Sequence, residues 1–249
     1  MSQTEELQAI MDTSVFPVNE CNSHVSAKDY AYTVIRGSIM NLKLEPGLGI
    51  TEKSMAKALG ISPTPVREAF VRLSQERLLT VAPQRGTYIS KIDIDKAMAV
   101  RYMRKTLERD AMSRLPLPLP SPLNDEICRC IERQTRWTQS HTFGDTSEAT
   151  QEYMRLDSLF HSLLFSGAGM VHVWNVIQGA SMDDFRLGML CLRISPDWRI
   201  FIRQHHDIYA AVNGDSRERL LEAADDHLGF IGHNSEKAKS VFSEYFVES

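Results

Sequence analysis

No stretch of this 249-residue sequence is apolar over the length a bilayer crossing needs. Its first twenty residues carry Glu5, Glu6 and Asp12 where a secretory leader would have a basic start and an apolar run. A cytoplasmic chain with no membrane partner is the expectation. Cysteine is sparse as well: Cys21, Cys128, Cys130 and Cys191 form no C-x-x-C pair and no zinc-ribbon spacing, which argues against a disulfide framework or a thiolate metal site. No internal repeat is apparent, and H-E-x-x-H or a comparable catalytic motif is missing, so the sequence reads as a non-enzyme. What is present is an ordinary globular composition, 43% apolar and 24% charged, in a chain long enough for two domains.

Charge is unevenly spread. Between His24 and Ile92 ten Lys/Arg stand against five Asp/Glu, a net +5, which leaves −9 for the remainder of a chain whose total is −4. A basic module on an acidic body points to an anionic polymer as partner of the first part only. Residues 1–25 lack periodicity and read as a loosely attached arm. Residues 26–92 and 93–249 then divide as two domains.

Within the basic module, Tyr32, Ile35 and Ile39 recur at helical spacing until Glu45-Pro46-Gly47 stops the helix. A second helix runs from a cap at or near Thr51 to Gly60, and a third begins with Thr64 as its cap and Pro65 at its first helical position. Val66, Ala69, Phe70 and Leu73 give that third helix its buried face. Residues 79–82 and 87–90 read as short strands around Pro83-Gln84-Arg85-Gly86, a hairpin. Helix, turn, helix and hairpin in this order make a winged helix-turn-helix, whose second helix enters the major groove. Arg67, one turn inside it, suits guanine O6 and N7, and Ser62 and Thr64 suit bases or phosphates. Lys53 on the preceding helix faces the backbone, and Arg85, Gly86 and Thr87 at the wing suit phosphate or minor-groove contact. Singly, each of these is as well explained as a surface charge or a turn residue; together they are a DNA-reading set.

This stretch, 30–90, resembles the DNA-binding domain of GntR-type bacterial regulators through Leu44-Glu45-Pro46-Gly47, Leu59-Gly60-Ile61-Ser62, Thr64-Pro65-Val66-Arg67-Glu68-Ala69 and Arg85-Gly86-Thr87. It differs at Pro63, where many members carry a DNA-contacting Arg.

Everything beyond Ile94 reads as helix, about six in number: 94–115, 123–140, 147–166, 171–192, 197–213 and 216–246. The fold class is therefore mainly α, a winged helix-turn-helix followed by an all-helical bundle. Pro116, Pro118, Pro120 and Pro122 make an extended, polyproline-like connector within it. Asp157 and His161 are four apart on one helix among Met154, Leu156, Phe160 and Leu164, so both turn inward. His205 shares a face with Phe201, Ile208 and Val212, and His227 shares one with Leu220, Ala224 and Ile231. A lone inward His is most simply a hydrogen-bonded core residue, but one Asp and three His converging suit a first-row divalent metal with positions left open for a carboxylate. Arg104, beside Val100, Leu107 and Ala111, needs a partner if buried, either Glu108 or an incoming carboxylate.

Residues 94–246 resemble the FCD effector domain of the FadR-like branch of GntR regulators, through Arg104-x-x-x-Glu108, Leu156-Asp157-x-x-x-His161, His205-x-x-Ile208 and His227-Leu228. Met170 stands where an Asn is frequent. The resemblance implies a metal on Asp157, His161, His205 and His227, zinc ahead of nickel or manganese, with an organic or sugar acid over it. It prefers His205 to the adjacent His206. A homodimer on a palindromic operator follows, with DNA affinity set by the acid. The rivals are a metalloenzyme using metal-bound water with Asp157 or a neighbouring carboxylate as base, and a regulator whose metal is purely structural.

Overall fold

A computed structural model describes residues 26–140, 147–194 and 198–248. The arm expected over residues 1–25 lies outside them, as does the start of the helix expected from residue 197. The described chain divides into two compact units, one formed by residues up to Ile92 together with the segment from Ser243, the other by Asp93–Phe242.

In the first unit, α1 (Ala27–Met40) starts at Ser26, whose side chain accepts from the Asp29 N–H. A two-residue strand, β1 (Gly49–Ile50), follows; the sequence pattern is too short to announce it. Thr51 and Ser54 cap α2 (Glu52–Leu59) reciprocally, and Gly60 ends it in the left-handed region with φ 67. α3 (Pro63–Gln75) starts two residues earlier than expected: Ser62, not Thr64, is its cap and makes no side-chain bond. Pro63 fits the first helical position as Pro65 would, and Pro65, then third in the helix, has no N–H to offer the Ser62 hydroxyl. Strands β2 (Leu79–Ala82) and β3 (Gly86–Ile89) complete an antiparallel sheet in the order β1-β3-β2, with Leu79 opposite Ile89 and Ala82 opposite Gly86. Ile35, Ile39, Met55, Val66, Leu73 and Leu78 are buried.

The last residues of the chain return to this unit. The Ile92 N–H donates to the Tyr245 carbonyl at 2.8 Å, and the Val247 N–H donates to the Ile92 carbonyl at 3.0 Å. Tyr245 and Phe246 are buried. The helix expected to reach residue 246 therefore stops at Val241, and Ser243–Tyr245 forms a single 3₁₀ turn.

Among the described residues the second unit holds seven helices rather than six: α4 (Ile94–Arg114), α5 (Ser121–Ser140), α6 (Ser147–Gly167), α7 (Val171–Ala180), α8 (Met182–Ile194), α9 (Trp198–Val212) and α10 (Arg217–Val241). The extra one comes from a break in the helix expected over 171–192. There the Ser181 hydroxyl donates to the Ile177 carbonyl, and the Phe185 N–H starts a new helix on the Ser181 carbonyl. The connector between α4 and α5 is non-helical through Pro120 and turned rather than straight, whereas Pro122, expected within it, lies in the first turn of α5, where a proline costs no helical hydrogen bond. The connector's Leu117–Pro118 peptide is cis, and Leu119 is buried, with its N–H on the Val212 carbonyl at 3.3 Å. A main apolar cluster joins Met112, Ile127, Phe160, Leu164, Ile208 and Leu220 from α4, α5, α6, α9 and α10. No described helix is long and apolar enough to cross a membrane.

Candidate metal centre and nucleic-acid interface

Between α2 and α3 lie only Gly60, Ile61 and Ser62, and the β2–β3 hairpin follows as a wing. Lys53, Ser62, Thr64, Arg67, Arg85 and Gly86 are exposed and Thr87 is half-buried, so each residue expected to read DNA is accessible. The Arg67 Nε donates to the Glu52 carboxylate at 2.9 Å. Both partners are open to solvent, and such a pair is weak enough for a base edge to replace it. At the wing, Gly86 has φ 119, a conformation that L side chains rarely adopt, and the Tyr88 hydroxyl closes the tip on the Arg85 carbonyl at 2.9 Å. Arg72 is committed elsewhere: it lies 3.5 Å over the Tyr32 ring and 3.6 Å from Glu76.

In the second unit, α6, α9 and α10 bring Asp157, His161, His205 and His227 together, with one ligand-capable atom of each lying within 4.8 Å of the others. The Nε2 atom of His227 is 3.1 Å from that of His161 and 3.2 Å from that of His205. Asp157 Oδ1 is 3.5 Å from His205 Nε2 and 3.8 Å from His161 Nε2. His161 and His205 are fully buried, and Asp157, 15% exposed, forms the open side. His206, the neighbour that competes with His205 in sequence, is exposed and lies 3.0 Å from the Thr135 hydroxyl.

The far nitrogen of each ring has its own neighbour. His205 Nδ1 is 2.8 Å from Gln134 Oε1, and His227 Nδ1 is 3.3 Å from Gln204 Oε1. Glu108 Oε2 stands 2.6 Å from His161 Nδ1, a charge contact rather than an aligned hydrogen bond. An oxygen acceptor at Nδ1 keeps the proton there and leaves Nε2 with a lone pair, the arrangement of metal-binding histidines. Burial first, and then the neighbouring imidazoles and Arg104, hold the pKa values of His205 and His227 well below the ordinary 6.5, so both rings are neutral.

Buried lone pairs facing one another repel unless a cation lies between them. Two atoms each about 2.0–2.1 Å from a zinc ion stand roughly 3.0–3.4 Å apart at octahedral or tetrahedral angles. The two separations from His227 Nε2 fall in that range and Asp157 Oδ1 stands slightly beyond it, so the donor set suits a divalent ion.

Around this centre, Arg104 donates from Nε to Glu108 and reaches Asp157 Oδ2 at 3.8 Å. Burial opposes its charge, but Glu108, Asp157 and Asp184 more than offset that, and its pKa is raised. Burial likewise opposes the Glu108 charge, yet Arg104 and His161 bring its pKa down to about 2. Glu108 is thus the Arg104 partner that the sequence reading named as one of two. Gln134 and Gln204 were not foreseen. A signal for Gln134 exists: it is a polar residue on the α5 face that buries Ile127, Cys130, Ile131 and Trp137. Gln204 sits beside two histidines in sequence, and nothing local marks it out.

Comparison with known proteins bears on both units. Residues 27–89 match the bacterial regulatory proteins of the gntR family, and residues 100–230 match the FCD domain. An uncharacterized HTH-type transcriptional regulator in an unstable DNA locus of Streptomyces ambofaciens is 26% identical over 228 residues, covering 92% of each chain. The HTH-type transcriptional repressor RspR of Escherichia coli is 26% identical over 240 residues, covering 96% of this chain and 99% of that one. Among solved structures, E. coli McbR/YncC shares the fold with a TM-score of 0.64 at 21% identity, covering 88% of this chain and 99% of the other. With a winged helix-turn-helix in one unit and an FCD domain in the other, the chain belongs to the GntR family of bacterial transcriptional regulators.

Proposed function

We propose that this regulator is a repressor that binds a palindromic operator as a homodimer, and that a small organic or sugar acid in its helical unit sets its affinity for DNA. Arg67 reads a guanine, Ser62, Thr64 and Lys53 fix α3 on the backbone, and Arg85, Gly86 and Thr87 hold the wing on phosphate or in the minor groove. In the helical unit, Asp157, His161, His205 and His227 hold a divalent ion, with zinc first and nickel or manganese as alternatives. When bound, the ion supplies open positions for the carboxylate of the acid. Arg104 provides a fixed positive charge beside Asp157, the most exposed of the four, and Gln134 and Gln204 hold the imidazoles of His205 and His227 in their ligand form. The repressor sense follows the name given to RspR.

One observation supports this most: three buried imidazoles turn Nε2 towards one another while each Nδ1 has an oxygen beside it. The test is to measure metal in the purified chain, then to screen carboxylic acids by thermal shift with and without chelator, and finally to titrate operator DNA with the acid that binds. The expected outcome is about one ion per chain and acid binding that chelation removes. Acid binding unchanged by chelation would overturn the metal-centred reading. Loss of folding on chelation, with no acid bound by the loaded protein, would favour a purely structural ion.

A further inference from the structure

The outward face of α3 carries a residue that neither the core nor the polar contacts above account for. Val66, Ala69, Phe70 and Leu73 are buried on one side of this helix. At about 100° per residue, Thr64, Val71 and Gln75 fall on one line along the opposite side, with Arg67 flanking them. Val71 is 56% exposed in the middle of that otherwise polar strip. A β-branched side chain lowers helix propensity, and Val71 has no buried packing to offset it. The apolar feature displayed on base edges in the major groove is the thymine C5-methyl.

We propose that Val71 reads a thymine methyl. It lies one helical turn beyond Arg67, about 6 Å along the axis. Base pairs are spaced by about 3.4 Å, so the thymine stands one or two steps from the guanine that Arg67 contacts. The inference rests on α3 as the recognition helix and adds to it a chemical specificity: each half-site holds a thymine whose methyl, not only its hydrogen bonds, is recognised.

The experiment selects a preferred duplex from a random pool with the full-length wild-type chain, then replaces its thymines one at a time by deoxyuridine, which removes the methyl and keeps the pairing. One position per half-site should lose about fourfold in affinity, the effect of one buried methyl. In Val71→Ala, whose exposed side chain leaves folding and oligomer mass unchanged, the same replacement should have no effect. Sensitivity that persists in Val71→Ala, or none at any thymine in the wild type, overturns the proposal. So does a change of oligomeric state in Val71→Ala, which would place the residue in a protein interface. If the wild-type chain enriches no duplex at all, the DNA-binding reading itself fails, a result distinct from the others.

Discussion

An imidazole has two nitrogens, and at this centre the chain employs both. Gln134 accepts from His205 at 2.8 Å and donates from its amide nitrogen to the Leu156 carbonyl at 3.0 Å, so its carboxamide is fixed from two sides. Gln134→Ala should weaken metal binding by about 10–100-fold, the usual effect of losing an outer partner; competition with a chromophoric chelator measures it, and unchanged affinity would deny Gln134 a role. Proton linkage gives a second expectation. Unfolded, the histidines take up protons near 6.5; folded and metal-free, His205 and His227 do so only well below that. Their contribution is complete above about pH 6.5 and is lost as the pH falls beneath it, and Glu108 extends the loss from 4.5 towards about 2. Urea midpoints of the metal-free protein should therefore drop steadily from neutral pH into acid. At this scale the four candidate ligands stand out in the sequence because each is a polar residue inside an apolar helical period, and Gln134 carries the same mark on α5. What no local pattern shows is that Gln134 meets His205, 71 residues away.

Helices that carry periodicity and flanking breakers were legible nearly to the residue, as α2 shows between Thr51 and Gly60. Those that failed did so for local reasons a period does not record. Ser181 looks like one more helical residue until its hydroxyl takes the Ile177 carbonyl, and Pro63 fits the first helical position as well as Pro65 does, so α3 starts at the earlier proline with Ser62 as its cap. A close approach between elements offers a test. A Cβ on Gly167, at the end of α6, would lie 2.4 Å from Leu123 Cδ2 and 2.9 Å from Leu115 Cδ2. Gly167→Ala should destabilise the protein by about 1–3 kcal/mol through overpacking, read from chemical denaturation. An unchanged midpoint would mean that both leucines move aside without loss.

At the scale of the whole molecule the charge is uneven: residues 24–92, which hold the winged helix-turn-helix, carry a net +5 and the remainder of the chain −9. Affinity for duplex should fall steeply with salt, and Arg67→Ala should remove the preference for operator over random DNA while leaving metal content and oligomeric state intact. Preserved preference in that variant would exclude Arg67 as the base reader. The two-part organisation was expected from this charge split and from the run of helices beyond Ile94. The path of the chain was not, because no local pattern announces that residues 243–248 belong with residues 26–92.

That path makes the helical unit an insertion. The polypeptide departs at Ile92 and comes home at Tyr245, so the winged unit is sewn from two separate pieces of the gene product. A truncation ending at residue 92 would strip Ile92 of both its backbone partners and discard the aromatic pair Tyr245 and Phe246. Such a fragment should melt lower than one in which residues 243–249 are spliced back through a short glycine-rich bridge, and calorimetry of the two would show whether the final few residues of the chain are a dispensable fringe or a seam.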